Sequence, residues 1–239
     1  MSLLTLVRHG QASFLSENYD KLSPLGERQA AKLGHFWAKT LTVFDQIYVG
    51  PAERHIRTAE IALEAYQSAG LPCPSPLALQ EVDEYSGIEV MRTFLPGLME
   101  KHEDIRELES QFRSAHNKEA AARVFELLFQ RVTRMWVAEE MNSPEIESWR
   151  HFCDRIEGAL AKIREGTRKG GRTLVFTSGG VLAAAAKSAL DLSPQKTLEL
   201  SWTSRNASFA EFLFATNRFS LASFNNIPHL DDPALITYR

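Results

Sequence analysis

The chain has 239 residues, enough for one large domain or for one domain with an insertion. Its apolar fraction of 44% and charged fraction of 24% are those of a globular protein with a sizeable core. The net charge of −3, without any Lys/Arg run, argues against a nucleic-acid or membrane surface, so neither partner is expected. The two cysteines fit no metal spacing and no disulfide framework, and a reducing cytoplasmic setting is expected.

The first elements follow from apolar patterning. Residues 3–7 form an uninterrupted apolar run, typical of a buried parallel strand rather than a signal peptide. Ser23 and Pro24 are expected to cap and open a helix. Its predicted apolar face comprises Ala30, Leu33, Trp37 and Leu41. Residues 46–49 predict a second strand, and the next helix is expected to carry Ile56, Ala59, Leu63 and Tyr66 on one side.

The second half of the chain alternates in the same way. Segment 89–142 is charge-rich, and its periodic stretches at 101–113 and 118–136 predict two helices that cover a site. Another amphipathic helix is marked by Trp149, Phe152, Ile156, Leu160 and Ile163. Residues 173–177 predict a third core strand, and 207–215 with 219–224 predict a hairpin. This order indicates an α/β fold, a three-layer sandwich with a mostly parallel central sheet and helices on both faces.

The segments that follow the predicted strands carry the candidate chemistry, because ligands bind beyond the carboxyl ends of such strands. The first strand is followed by RHGQ at 8–11, the second by a helix start with Arg54 and Arg57, and the third by Ser178 and two glycines. These groups suit a phosphate dianion. Arginine holds two oxygens by a planar fork, backbone N–H groups hold others, and a neutral imidazole can attack phosphorus.

The chain carries LVRHG at 6–10, LSPLGERQA at 22–30 and RHIRTAE at 54–60. These three motifs, in this order, resemble those of the histidine phosphatase superfamily, which includes cofactor-dependent phosphoglycerate mutases and many phosphatases. The resemblance covers 1–87 and 145–239 and implies a phosphoglycerate mutase-like fold. Segment 89–142 is longer than in compact members, so we expect one domain, 1–239, with 89–142 as a helical cover insertion.

The resemblance implies roles for individual residues. His9 matches the phosphorylated nucleophile, and Arg8 and Arg54 match the two phosphate-binding arginines. Arg57 is a rival to Arg54, because it lies three residues further along the same helix. Glu81, which follows Leu79 by two positions, matches the general acid.

Two alternatives to Glu81 remain open at this stage. Asp83 and Glu84 are its rivals, because Glu84 and Tyr85 stand where many members have an aromatic residue and a glycine. A solvated acidic loop without a catalytic role is the competing interpretation of this segment.

Most family members place a second histidine directly before the paired glycines of the third-strand turn, where this chain has Ser178. Serine can donate one neutral hydrogen bond to phosphate but lacks the positive charge of an imidazolium. The N–H of Gly179 is expected to bind phosphate as well. Gln11, Ser13 and His229 are further candidates, although a structural histidine is the competing interpretation of His229.

The function that these residues predict is hydrolysis of a phosphomonoester through a phosphohistidine on His9. Two arginines carry the charge, so no metal and no cofactor is expected, and the partner is a small phosphorylated substrate. The alternative is a catalytically weakened member that binds a phosphorylated ligand or protein partner without turnover. A mutase is a third possibility, for which no residue argues.

Overall fold

The computed structural model describes residues 1–13 and 20–238. The chain divides into two compact units: Met1–Glu84 with Asp154–Arg239, and Tyr85–Cys153. The candidate residues of the sequence analysis all belong to the first unit, which is built on a mixed sheet.

The described residues contain six strands, which lie in the order β3-β2-β4-β1-β5-β6. Their bounds are β1 Ser2–Arg8, β2 Gln46–Val49, β3 Leu77–Ala78, β4 Arg172–Thr177, β5 Phe209–Ala215 and β6 Arg218–Asn226. The pairs β1–β4, β2–β4 and β2–β3 are parallel, whereas β1–β5 and β5–β6 are antiparallel. The predicted α/β sandwich with a mostly parallel sheet is confirmed. The two-residue strand β3 was not predicted, because so short an apolar pair has no period to detect.

The described residues also contain eight α-helices: α1 Pro24–Lys39, α2 Glu53–Ser68, α3 Gly87–Lys101, α4 Glu103–Arg113, α5 Lys118–Val137, α6 Trp149–Gly166, α7 Gly179–Leu190 and α8 Pro194–Thr203. The predicted start of α1 is correct, since the Ser23 hydroxyl accepts the N–H of Gly26 and Pro24 opens the helix. The apolar positions predicted for α6 are all buried.

Two predicted face residues lie outside the core. Leu41 follows the end of α1 and is exposed, and Ile56 of α2 is 44% exposed. The buried face of α2 instead carries His55, Thr58, Ala59, Ala62, Leu63 and Tyr66. Three of the four predicted residues, Ala59, Leu63 and Tyr66, are therefore correct, and at the first turn His55 rather than Ile56 points inward.

The register of the parallel strands brings three turns to one edge of the sheet. Arg8 pairs with Thr177 in β1–β4, and Val49 pairs with Phe176 in β2–β4. Beyond these pairs, the N–H of His9 donates to the carbonyl of Thr177 at 2.9 Å. The N–H of Gly50 donates to the carbonyl of Phe176 at 3.0 Å. The turns after β1, β2 and β4 therefore begin side by side.

The second unit, Tyr85–Cys153, contains α3, α4 and α5, which pack against one another. The two helices predicted from periodicity correspond to α4 and α5. The third, α3, was not predicted, and Pro96 lies inside it, where proline is normally disfavoured. Aromatic rings of Tyr85, Trp136, Trp149 and Phe152 form part of this unit's buried core.

Candidate active site

His9 is the first residue after β1, and its side chain is buried. Its Nδ1 lies 2.7 Å from the carbonyl oxygen of Gly10, which can only accept, so Nδ1 carries the proton and Nε2 carries the lone pair. Burial is the largest cause that lowers the pKa of His9 well below 6.5, and the charges of Arg54 and Arg8 add to it. At neutral pH the ring is therefore uncharged, with its lone pair on Nε2.

Arg8 is held beside the start of α7. Its side chain donates to the carbonyl of Ser204, and its backbone N–H donates to the carbonyl of Ser208 at 2.9 Å. A Cβ on Gly179 would lie 3.3 Å from the carbonyl oxygen of Ser201 and 3.6 Å from Nε of Arg8. The first turn of α7 therefore packs closely against Ser201 and lies within van der Waals reach of the Arg8 side chain.

The threonine of the RHIRTAE motif fixes the turn after β1 to α2. The hydroxyl of Thr58 accepts the N–H of Gly10 at 3.1 Å and donates to the carbonyl of Arg54 at 2.7 Å. One side chain thus joins the histidine turn to the helix that carries the second arginine. This contact explains why the motif places arginine and threonine four residues apart.

The LSPLGERQA motif supports the same turn from α1. The side chain of Gln29 accepts the N–H of Gln11 at 2.8 Å and donates to the carbonyl of Leu235 at 2.7 Å. A Cβ on Gly26 would lie 2.2 Å from the carbonyl oxygen of Gln11, so only glycine allows this approach. Both motif residues have structural roles that position the histidine turn.

Arg54 projects from the first turn of α2 and is held by an acidic residue that the sequence analysis missed. Its Nη1 donates to Oδ1 of Asp20 at 2.5 Å, while Oδ2 of Asp20 accepts the N–H of Glu53 at 2.8 Å. Its Nη2 lies 3.5 Å from Oγ of Ser178. Asp20 therefore caps α2 and orients the guanidinium, and no local pattern in the sequence connects it to Arg54.

Ser178 meets an imidazole from another element. Its Oγ lies 2.5 Å from Nε2 of His55, and both side chains are almost completely buried, at 1% and 0% exposure. The rings of His55 and His9 lie 5.8 Å apart between centroids. Sequence reasoning passed over His55, although its spacing to Thr58, Ala59 and Ala62 places it on the inner face of α2.

His55 is electrically neutral in this environment. Burial is the main cause that lowers the pKa of His55 well below 6.5, and the positive charge of Arg54 contributes. A Cβ on Gly50 would lie 2.5 Å from Nδ1 of His55, so the glycine after β2 provides the space for the ring.

Arg57 lies away from this cluster. Its Nε donates to Glu27 of α1 at 3.1 Å and its Nη1 to Glu60 at 3.3 Å, and the side chain is 47% exposed. Of the two arginines on α2, Arg54 is therefore the one that the structure brings to Ser178.

The three candidate acids have different neighbours. The carboxylate of Glu81 pairs with Lys162 of α6, and this hydrogen bond is the main cause that lowers the pKa of Glu81. Oε2 of Glu84 accepts the N–H of Gly180 at 2.9 Å, at the start of α7. Asp83 accepts the N–H of Glu84 at 2.9 Å. The structure therefore brings Glu84, rather than Glu81, to the turn that contains Ser178.

The remaining candidates have mainly structural contacts. The N–H of Ser13 donates to the carbonyl of Lys21 at 2.8 Å, and the side chain of Gln11 accepts from Ser23 at 2.8 Å. His229 is buried against Phe36 and Phe209, with ring centroids 6.2 and 6.3 Å away. Burial lowers the pKa of His229 to about 4. Its aromatic surroundings favour a structural role.

Two findings concern the described part of the chain only. Within residues 1–13 and 20–238, no group of three histidine, cysteine or acidic side chains is placed to hold a metal ion. No helix of these residues has the length and apolar character needed to cross a membrane.

The motifs and the sheet together define the class of protein. The family model of the histidine phosphatase superfamily (branch 1) matches residues 4–93 and 88–227. The chain therefore belongs to the histidine phosphatase superfamily. A comparison with curated protein sequences finds no match.

Solved structures share the fold at low sequence identity. A phosphoglycerate mutase from Bacillus anthracis is 19% identical, with a TM-score of 0.62 over 96% of this chain and 95% of that one. A phosphoserine phosphatase from Entamoeba histolytica, in complex with 3-phosphoglyceric acid, is 16% identical, with a TM-score of 0.63 over 96% and 100%. An alpha-ribazole phosphatase from Shigella flexneri is 16% identical, with a TM-score of 0.59 over 94% and 96%.

Proposed function

We propose that this chain hydrolyses phosphate monoesters through a phosphohistidine formed on His9. The observation that supports this most strongly is the state of His9. Its ring is buried and neutral, its Nδ1–H is held by the Gly10 carbonyl, and its Nε2 is available for attack. Arg8 and Arg54 supply positive charge on either side, which is what a phosphoryl group in transfer requires.

The first chemical step forms a bond between Nε2 of His9 and phosphorus and breaks the bond between phosphorus and the ester oxygen. Arg8, Arg54, Ser178 and the N–H of Gly179 bind the other phosphate oxygens. A carboxylic acid gives its proton to the departing alkoxide. In the second step, the resulting carboxylate takes a proton from water, which attacks the phosphohistidine and releases inorganic phosphate.

We assign the acid to Glu84, which was a rival of Glu81 in the sequence analysis. Glu84 contacts Gly180 next to the proposed phosphate-binding turn. A carboxyl group beside a bound phosphate dianion holds a proton more readily, since two like charges repel. Glu81 is less suited, because its carboxylate is paired with Lys162 of α6.

The chain also carries a segment that we propose as the determinant of substrate choice. Segment 89–142 lies within a compact unit of its own and presents charged helices such as α4. Charge reversals on its exposed residues are expected to change the relative kcat/KM among phosphate esters. The rate on a small aryl phosphate should remain unchanged.

The two thiols, Cys73 and Cys153, are not joined in a disulfide within the described residues, which fits a cytoplasmic setting.

The proposal is tested by trapping the intermediate. The protein is mixed with a radiolabelled aryl phosphate and quenched rapidly, and the expected label on the protein is lost in acid and kept in base, as for a phosphoramidate. His9→Gln keeps the size of the side chain but removes the nucleophile, and should abolish both label and turnover. His35→Gln, at an exposed position on α1, is the matched control and should retain both. Normal labelling and turnover in His9→Gln would refute the proposal.

Hydrolysis without any protein-bound label would also contradict the proposal. Binding of phosphate esters without turnover would favour a catalytically weakened member of the family.

A further inference from the structure

The turn after β4 contains a polar arrangement that the proposed reaction does not yet use. Ser178 Oγ is within 2.5 Å of His55 Nε2 and 3.5 Å of Arg54 Nη2, in a site where the serine is almost fully buried. A hydroxyl group has two acceptor positions and one proton to donate. If Arg54 and His55 fill both acceptor positions, the Ser178 proton must point elsewhere.

The surroundings of the His55 ring indicate which nitrogen carries its proton. Within the described part of the chain, the buried Nδ1 of His55 has no hydrogen-bond partner. A buried N–H group without an acceptor is rarer in proteins than a bare acceptor. The tautomer with its proton on Nε2 avoids such a group, and it donates that proton to Oγ of Ser178.

We propose that His55 is a positioning residue for the proposed phosphoryl transfer. Its Nε2–H donates to Oγ of Ser178, so that the Ser178 hydroxyl donates to an oxygen of the transferring phosphoryl group. Together, His55 on α2 and Ser178 in the turn after β4 supply the hydrogen-bond donor that a single histidine would otherwise provide. This inference rests on the phosphohistidine function proposed above.

The electrostatics of the site agree with this arrangement. The groups that face His55 are the Arg54 guanidinium on its own helix, the His9 ring beyond β1 and the Ser178 hydroxyl beyond β4. Burial and Arg54 keep the His55 ring neutral. A neutral ring with one N–H can orient a hydroxyl without adding a second buried cation beside Arg54.

The test combines kinetics with substitutions of matched shape. His55→Leu removes the donor and keeps a buried apolar side chain, and should lower kcat about 10- to 100-fold, with KM changed by less than about twofold. Ser178→Ala should have a similar effect, and the double variant should be no worse than the more impaired single variant, because both remove one donor. His55→Gln, which can place an amide N–H near the same point, should restore much of the loss.

Destabilisation of α2 needs its own control. Leu63→Ala, on the buried face of the same helix, should lower the melting temperature while leaving kcat unchanged well below the midpoint. A loss of kcat in Leu63→Ala equal to that in His55→Leu would indicate a merely structural role and overturn the proposal.

The tautomer is measured directly by the ¹⁵N chemical shifts of the His55 ring in the intact protein. The expected spectrum has a protonated Nε2 and a bare Nδ1. The opposite assignment would mean that Ser178 donates to His55, and would overturn the proposal. If the wild-type protein forms the phosphohistidine and the His55→Leu variant keeps full kcat, this inference alone is refuted. Wild-type protein that forms no phosphohistidine would refute the proposed function, and this inference with it.

Discussion

The turn after β1 carries its own imidazole, that of His9, whereas at the turn after β4 Ser178 contacts an imidazole from helix α2. The two turns start side by side, because Arg8 and Thr177 are paired in neighbouring parallel strands. Each contains a small residue that allows close approach, and each lies next to an arginine. An imidazole can therefore reach a turn either from the turn itself, as His9 does, or from a neighbouring helix, as His55 does.

The largest expected effect separates Glu84, which contacts the turn after β4, from Glu81, which pairs with Lys162. Glu84→Gln should lower kcat by about 10²–10⁴-fold on an alkyl phosphate, because the poor leaving group needs a proton. The loss on an activated aryl phosphate should be much smaller. Glu81→Gln is the matched control and should change either rate only slightly, since its carboxylate pairs with Lys162. The measurement is kcat on both substrates, and a reversed order would assign the acid to Glu81.

The next effect separates the two arginines of α2. Arg54→Ala should lower kcat/KM by about 10²–10³-fold, because it removes a charged donor next to Ser178. Arg57→Ala should leave kcat/KM nearly unchanged, since Arg57 is half-exposed and pairs with Glu27 and Glu60. Steady-state kinetics on one aryl phosphate compares the two. Equal losses would mean that both arginines contact the substrate.

A histidine placed at position 178, in the turn after β4, tests whether an imidazole there can replace the imidazole of His55. Ser178→His alone should lower both the melting temperature and kcat, because the new ring would collide with His55, which lies 2.5 Å from the serine oxygen. Ser178→His combined with His55→Ala opens that space and should recover about tenfold in kcat over Ser178→His alone. Thermal melts and kcat are measured for all three proteins. Full activity in Ser178→His alone would show that the turn accommodates a histidine without displacing His55.

The smallest expected effect on catalysis comes from His229, a buried histidine that packs against Phe36 and Phe209. In the folded state the pKa of His229 is about 4, so its ring stays neutral down to about that pH. In the unfolded chain the ring binds a proton below about pH 6.5. Protons are therefore taken up on unfolding within this window. The contribution of His229 to the free energy of unfolding is complete above about pH 6.5. It decreases by at most about 3 kcal/mol as the pH falls towards 4.

This effect is measured by urea unfolding between pH 4 and pH 7. His229→Phe should flatten the dependence relative to wild type, while His9 and His55 continue to contribute in both proteins. His35→Phe, at an exposed position, should leave the dependence unchanged. The same slope in His229→Phe and wild type would mean that His229 is protonated in the folded state as readily as in the unfolded chain.

Local patterns were sufficient to predict five of the six strands in the described residues and most of the helices around the site. The apolar run before Arg8, the proline after Ser23 and the glycines after Ser178 each act within a few residues, so they can be recognised without the fold. Helix α3 was not predicted, because Pro96 interrupts the pattern expected of a helix.

The contacts that connect distant segments could not be predicted in this way. Asp20 reaches Arg54 across 34 positions, and His55 reaches Ser178 across 123. The choice between Glu81 and Glu84 likewise depends on Lys162 and Gly180, which lie far along the chain. His55 was within reach of pattern analysis, because its spacing to Thr58 and Ala62 marks the inner face of α2.

The most direct test of the central claim is a crystal structure of the protein with vanadate, whose five-coordinate form mimics the phosphoryl group in the transition state of its transfer. The account predicts that vanadium is bonded to Nε2 of His9. The hydroxyl of Ser178 should donate to a vanadate oxygen, and Nε2 of His55 should remain on Ser178. Vanadium bonded to Oγ of Ser178 or to the ring of His55 would contradict the account.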